Sequence, residues 1–420
     1  MKRTVQRQAS HPAVASDIAY WLIEQGLEGA SQEVLLEGFC TRLLSDGIPI
    51  QRVHVAQRAF HPEFGGIGFR WSKEAGIGRE NFARSESPQQ QWRQSPFYHM
   101  LEDNINELRV PLAKADKPNR FPLFDDLRAN GGTEYFAKRL MFAKPDNAQA
   151  IDPNFTPEGI IISWTSDAEN GFSDSDIDLL RKLLPSLGLS LKSASNRQMA
   201  HDLLATYVGA DAGQRVLSGD IQRGSFETIN AVIWYFDLQG FTKLSETITG
   251  AETISMLNEY FGAVVAIVEE HGGNVLKFMG DGMLAIFTFK DSPGTRSKAI
   301  DAAIALRKII EEINLRRESE GLPHTGFNLA LHAGDVLYGN IGAKNRLDFT
   351  VIGSAVNTTA RILGMCNPLE QNLIISSKVA RAGQVQRDDL ISLGRYMLRG
   401  ISEPQELYTH LDSEPKSSRS

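Results

Sequence analysis

The sequence has 420 residues, a formal net charge of −7, 42% hydrophobic residues and 23% charged residues. That length suits two or three domains with sizeable cores, and the acidic balance counts against a nucleic-acid partner or a dedicated membrane-surface patch. The start, Met1 to Arg7, is basic but no apolar run follows it, and Ile160–Ile162 is far shorter than the ~20 residues a spanning helix needs, so no signal peptide, no membrane contact and a cytoplasmic location are expected.

Residues 1–15 are expected to be flexible. Helical patterns follow at Val14–Glu28 and Gln32–Leu44, then strand-like runs at Gln51–Phe60, Gly66–Trp71, Asn106–Leu112 and Gly159–Thr165. Loops rich in Pro, Asn, Gln and Ser separate them, which predicts an α+β domain on an antiparallel sheet over residues 16–200. Cys40 and Cys366 lie far apart, form no CxxC pair, and are expected to be reduced and buried. A further helix starts after Ser173, a plausible N-cap with acids in the first turn. Its stripe of Ile177, Leu180, Leu184, Leu187, Leu191 and Ala194 is heptad-like, interrupted by Pro185. Such a stripe serves a dimerising connector or a helix packed on its own sheet.

Residues 201–225, with four glycines between 209 and 224, read as a hinge-like linker. From Ile229 the texture becomes alternating strand and helix. Ile229–Phe236 is a buried strand. A helix over Ala251–His271 has expected core positions Ile254, Leu257, Phe261, Val264, Val265 and Val268 and ends at Gly272-Gly273. Val275–Phe278 and Met283–Phe287 form a hairpin turning at Gly280-Asp281-Gly282. Then come a helix over Thr295–Glu320 and strands at Phe327–His332 and Val336–Ile341, with a frayed tail at 412–420.

Two carboxylates carry the chemistry. Asp237 follows the buried strand and Asp281 sits at the hairpin tip. If those strands are neighbours, the carboxylates converge, and hard divalent cations are held by one or two carboxylates plus phosphate oxygens. Two metals there could clamp the attacking and leaving oxygens of a phosphoryl transfer. In the turn that follows, Gly240 lets backbone N–H groups of Gly240, Phe241 and Thr242 face phosphates. On spacing alone, two acidic turn residues would look the same.

The run Phe236-Asp237-Leu238-Gln239-Gly240-Phe241-Thr242 resembles the first metal-binding motif of class III nucleotidyl cyclases. Lys277-Phe278-Met279-Gly280-Asp281-Gly282 resembles the second, and the run from Val351 to Arg361 the third. The resemblance runs from about Phe226 to Leu411. It implies a ferredoxin-like core working as a head-to-tail homodimer with two composite sites and two Mg²⁺ or Mn²⁺ ions in each. One protomer would supply Asp237, Asp281 and the backbone carbonyl of Leu238 to the metals. The other would supply Lys277 and Thr350 to read the base, Asn357 to orient the ribose and Arg361 to stabilise charge on the α-phosphate. Lys277 and Thr350 match the adenine-reading pair, with Asp348 beside Thr350 on the same side of the strand; guanine readers resemble a Glu and Cys-like pair. Where the family carries a phosphate-binding Lys, this sequence has Arg399 before Gly400, which keeps the charge with a different geometry.

The resemblance therefore implies an adenylate cyclase making cyclic AMP and diphosphate from ATP. A guanylate cyclase, or a silent nucleotide-binding module, are the alternatives. Residues 16–200 resemble a GAF-type sensory module at the entry to the last helix, a PAS-like module or a family-specific domain being the alternatives, with aromatics such as Phe69, Trp71, Trp92, Phe97, Tyr98, Tyr135 and Phe136 in its core or around a ligand. A small-molecule or ion regulator would act there. The Lys–Thr pair also resembles a subclass that answers to bicarbonate. Homodimerisation is expected through the cyclase domain and the connector helix. His271 and His332 are expected to be capping or core residues.

Overall fold

The computed structural model describes residues 11–59, 61, 63–83, 90–112, 120–142, 159–220, 222–289, 294–381 and 387–411. The expected tail at 412–420 and the first ten residues lie outside the described residues. The chain divides into two compact units, Met1–Leu203 and Leu204–Ser420.

The first unit opens with α1 (His11–Glu28), which starts inside the stretch expected to be flexible, and α2 (Gln32–Ser45). Ser31 caps α2, its Oγ accepting from the Val34 N–H at 3.3 Å. Then follow β1 (Ile50–Arg58), β2 (Phe64–Ser72), β3 (Gly76–Ala83), α3 (Gln90–Arg93), α4 (Pro96–Glu102), β4 (Glu107–Pro111), α5 (Pro122–Ala129), β5 (Glu134–Met141), β6 (Gly159–Ser166) and α6 (Asp174–Val208). The six strands pair antiparallel in the order β3-β2-β1-β6-β5-β4.

One sheet face, through Val53, Val55 and Trp164, packs on α1, α2 and the first half of α6. The other, through Tyr135, Ala137 and Ile161, packs on Phe97, Met100, Phe121, Phe124 and Leu127 from α4, α5 and their approaches. The heptad-like stripe of α6 belongs to the first of these cores. Residues 177–194 are therefore spent inside their own unit, which corrects the expectation that this part of the helix dimerises. Pro185 does not end α6. β3 and β5 escape a periodicity reading. The first is a Gly-containing, largely exposed edge strand, and the second carries Glu, Lys and Arg into the sheet.

In the second unit the expected linker is itself partly helical: α6 runs to Val208 and α7 spans Ala210–Leu217. The remaining elements are β7 (Phe226–Leu238), α8 (Phe241–Ser245), α9 (Gly250–Glu270), β8 (Asn274–Met279), β9 (Gly282–Thr288), α10 (Thr295–Ser319), β10 (Phe327–Ala343), β11 (Arg346–Ile352), α11 (Ser354–Leu363), β12 (Leu373–Ser376), α12 (Ser377–Ala380), β13 (Leu390–Tyr396) and β14 (Gln405–His410). The sheet order is β13-β14-β12-β10-β7-β9-β8, with β11 paired to β10. The run β7-α9-β8-β9-α10-β10, with spatial order β10-β7-β9-β8, is a ferredoxin-like split βαβ core.

Alternation sorts β7 between two faces. Val232, Trp234, Phe236 and Leu238 pack on Met256, Tyr260 and Val264 of α9 and on Ala303, Leu306 and Ile310 of α10. Ala231 and Ile233 pack on the opposite side with Ala212 of α7 and Ala355 of α11. α9 is long and apolar enough by composition to cross a membrane, yet its buried stripe is committed to this core. Ile254, expected in that stripe, is 62% exposed, because the face is set one position round, through Met256 and Tyr260. The two strands expected around residue 334 are one, β10. Gly334 does not interrupt it. It is small because a Cβ there would lie 2.8 Å from the Ala355 Cβ.

Candidate active site

β7 is central, flanked by β9 and β10, so only an apolar run can fill it. The run ends where the strand reaches the sheet edge, and there the sequence places Asp237. In register it faces Gly282 of β9 and Asn328 of β10. Asp281 sits in the tight turn between β8 and β9, and the Leu238 N–H donates to its carbonyl at 3.2 Å. Gly282 is the close neighbour that permits this: a Cβ would lie 3.0 Å from the Phe236 carbonyl and 3.1 Å from Asp237 Oδ1.

Burial, and then the Asp281 charge, push the Asp237 carboxyl up to about 6. A carboxylate held against a like charge is one that a bound cation relieves. The Leu238 side chain is buried, leaving its backbone as the part available to a cation. Among the described residues no cluster of three or more His, Cys, Asp or Glu forms. Two carboxylates with open positions fit Mg²⁺ or Mn²⁺, which complete their coordination with water and phosphate oxygens. The loop beyond is pinned. Gln239 N–H donates to Gly326 O at 2.9 Å, its Nε2 donates to Asn328 Oδ1 at 2.8 Å, and Thr325 Oγ1 donates to its carbonyl. Gly240 then takes a left-handed φ of 63° and leads into α8, with Thr242 exposed and Phe241 against the core.

Lys277 lies on β8, four residues before Asp281. Its Nζ donates to Asp348 Oδ2 of β11 at 2.9 Å. Thr350, two residues on and on the same side of β11, is buried, and its Oγ1 has no hydrogen-bond partner. Lys277 thus joins Asp348 rather than Thr350. Asp348 is the residue that sequence reasoning noted only as a neighbour, and its D-x-T spacing in a strand was the available signal. Phe349 anchors the strand from behind: it packs edge-on to Tyr338 at 4.7 Å, and Arg215 of α7 lies over both rings. Arg215 also pairs with Asp211 and Glu227, and the Tyr338 hydroxyl donates to Asp211 at 2.5 Å.

Asn357 and Arg361 project from the exposed face of α11, one turn apart, while Ala355, Thr358, Thr359 and Ile362 face inward. Arg399 is exposed after buried Leu398, and Gly400 turns the chain with φ 77°. Among the described residues no hydrogen bond or ion pair joins Asn357, Arg361 or Arg399 to either aspartate. The single chain therefore holds a carboxylate pair and a separate set of polar and cationic groups. His271 Nδ1 contacts the Ile267 carbonyl at the end of α9, and His332 is buried against Ser376 Oγ at 2.9 Å, with burial pushing it down to about 4. Cys40 and Cys366 are buried free thiols.

Residues 225–411 match the family model of the adenylate and guanylate cyclase catalytic domain. An adenylate cyclase of Anabaena cylindrica is 31% identical over 166 residues, covering 39% of this chain and 32% of its own length. An uncharacterized protein of Mycobacterium tuberculosis is 31% identical over 212 residues, covering 50% and 37%. The chain spans about a third of the length of these relatives. Among solved structures, a bacterial light-regulated adenylyl cyclase shares 26% identity with a TM-score of 0.39, covering 44% of this chain and 91% of its own. A guanylyl cyclase shares 27% with a TM-score of 0.40, covering 46% and 97%.

Proposed function

Because residues 225–411 are a class III adenylate and guanylate cyclase catalytic domain, we propose that this chain is an adenylate cyclase, converting ATP to 3′,5′-cyclic AMP and diphosphate. The observation that carries the reading is the Asp237–Asp281 pair, held by adjacent strand ends and electrostatically strained without a counter-ion. Asp237, Asp281 and the Leu238 carbonyl would hold two Mg²⁺ or Mn²⁺ ions. Such ions, when bound, lower the pKa of the ribose 3′-hydroxyl and neutralise charge on the leaving diphosphate. No side chain is then required as a general base.

The remaining steps belong to this chain's own groups. Lys277 donates to an adenine ring nitrogen, while Asp348 or the orphaned Thr350 Oγ1 accepts from the exocyclic amino group. A base lacking that pattern leaves the buried Thr350 hydroxyl unmatched and forgoes the lysine's hydrogen bond, which is the basis of the discrimination. The lysine and hydroxyl are what favour adenine over guanine. Asn357 orients the ribose, and Arg361 meets the charge that grows on the α-phosphate, a contribution usually among the largest in catalysis. Arg399 grips the polyphosphate with a planar fork in place of an ammonium.

Asn357 and Arg361 make no contact with the carboxylates of their own chain, so the reading requires a second copy to bring them over. Exposed Ile254, Phe278, Ile352 and Met397 leave apolar surface on elements of the same unit, as a docking face would. The first unit would act as a sensory domain, and the chain would work in the cytoplasm. Mixing Asp281→Ala and Arg361→Ala chains tests the composite site. Each alone is inactive, and the mixture recovers about a quarter of wild-type activity if dimers form at random. A mixture as inactive as its parts contradicts the shared site.

A further inference from the structure

On the second face of the first unit's sheet, the strand registers gather polar groups that have nothing to bond. Thr165 of β6 is flanked by Arg52 of β1 and Tyr135 of β5, and one residue pair along, His54 of β1 faces Ser163 of β6. Tyr135 is fully buried and Thr165 is 1% exposed. The Tyr135 hydroxyl, Thr165 Oγ1, His54 Nε2 and Arg52 Nη1 are all buried atoms without a hydrogen-bond partner among the described residues. Ser163 approaches the Tyr135 hydroxyl without completing a hydrogen bond of good geometry. Buried polar groups are satisfied in the great majority of cases, so four orphans on one face mark a missing partner.

Charge says what kind. Arg52 makes no ion pair among the described residues. Its cationic neighbour Arg70 is paired with Glu80 at 2.5 Å. Water could satisfy the hydroxyls, but Glu80 is the one acid among the described residues whose charge reaches Arg52, and Arg70 already holds it, so two guanidiniums share one carboxylate and the excess positive charge calls for an anion. A guanidinium presents parallel donors that match a carboxylate. Burial, then the charges of Arg52 and Arg70, push His54 down to about 3, so it stays neutral and offers a single donor. Aromatic rings border these groups: Phe97 stacks on His54 with ring centroids 5.3 Å apart, and Phe124 lies 4.9 Å from the Tyr135 ring.

We propose that this face binds a small planar carboxylate, its anionic end on Arg52 with Tyr135 and Thr165 donating to it, and its body against Phe97 and Phe124. The site is independent of the cyclase reading, because none of its residues belongs to the second unit. Titration calorimetry on the full chain with benzoate, and with its uncharged isostere benzamide, tests it. Benzoate is expected to bind one per chain, at least tenfold tighter than benzamide. Arg52→Met should weaken benzoate at least tenfold without lowering the thermal unfolding midpoint of the ligand-free chain, since it removes one of two guanidiniums that share Glu80. Tyr135→Phe should keep the fold and weaken benzoate several-fold, and it carries the test should Arg52→Met fail to fold. No benzoate binding, equal binding of benzoate and benzamide, or Tyr135→Phe binding as wild type would each overturn the proposal.

Discussion

Replacing Asp237 by Asn should stabilise the metal-free protein, and only above about pH 5. The folded carboxyl is pushed up to about 6 from an ordinary value of 3.8, first by burial and then by the Asp281 charge. The group's folded pKa lies above its unfolded value. Its contribution is thus fully present below pH 3.8 and is lost as pH rises through about 6. A shift of about two units corresponds to about 3 kcal/mol at most. Asp237 is only partly buried, and solvent screening reduces this to about 1 kcal/mol. For a unit of this size that is about 2–4 °C in Tm. Calorimetry of the second unit's transition in EDTA should therefore show the Asn variant higher by that amount at pH 7.5 and level with wild type at pH 4. Millimolar Mg²⁺ or Mn²⁺ should reverse the order, raising wild type and leaving the variant unmoved. A variant less stable by the same margin at every pH, with metal or without, would refute the electrostatic account of the pair.

On the proposed base-reading role, Lys277→Met would remove a charged hydrogen bond worth about 2 kcal/mol, so kcat/KM for ATP should fall about 30-fold. The GTP rate should fall much less, and parallel losses for both nucleotides would mean that the lysine is structural. Gly334→Ala forces a Cβ to within 2.8 Å of the Ala355 Cβ at the start of α11. Overpacking of about 2 kcal/mol should lower Tm by about 4–8 °C, and adding Ala355→Gly should restore most of it.

The places of Asp237 and Asp281 were legible because each signal is local. Asp237 ends the apolar run that a central strand requires, and Asp281 occupies the turn of the hairpin beside it. Their convergence was conditional on the two strands being neighbours, and the β7–β9 register meets that condition. The Lys277–Asp348 pair was not legible in the same way: it joins strands 71 residues apart and depends on β11 folding back along β10 to lie beside β8. Two strands were expected where β10 is one for a related reason, since only the packing of α11 against β10 shows that a small residue, Gly334, is wanted mid-strand. In the first unit the α6 stripe has one periodicity for two destinations, a partner helix or its own sheet. The hydrophobic face is the same in both, and the sheet decides. β5 was missed because Lys138 and Arg139 interrupt its apolar run, yet Lys138 pairs with Glu107 across the neighbouring strand at 2.8 Å.

The central claim is tested most directly by supplying the purified chain with ATP or GTP, with Mg²⁺ or Mn²⁺, beside an Asp281→Ala control. The account predicts cyclic AMP from ATP, much less cyclic GMP from GTP, and neither from the control. Product from GTP in excess of that from ATP would contradict the adenine assignment, and no cyclic nucleotide under any of these conditions would contradict the enzyme.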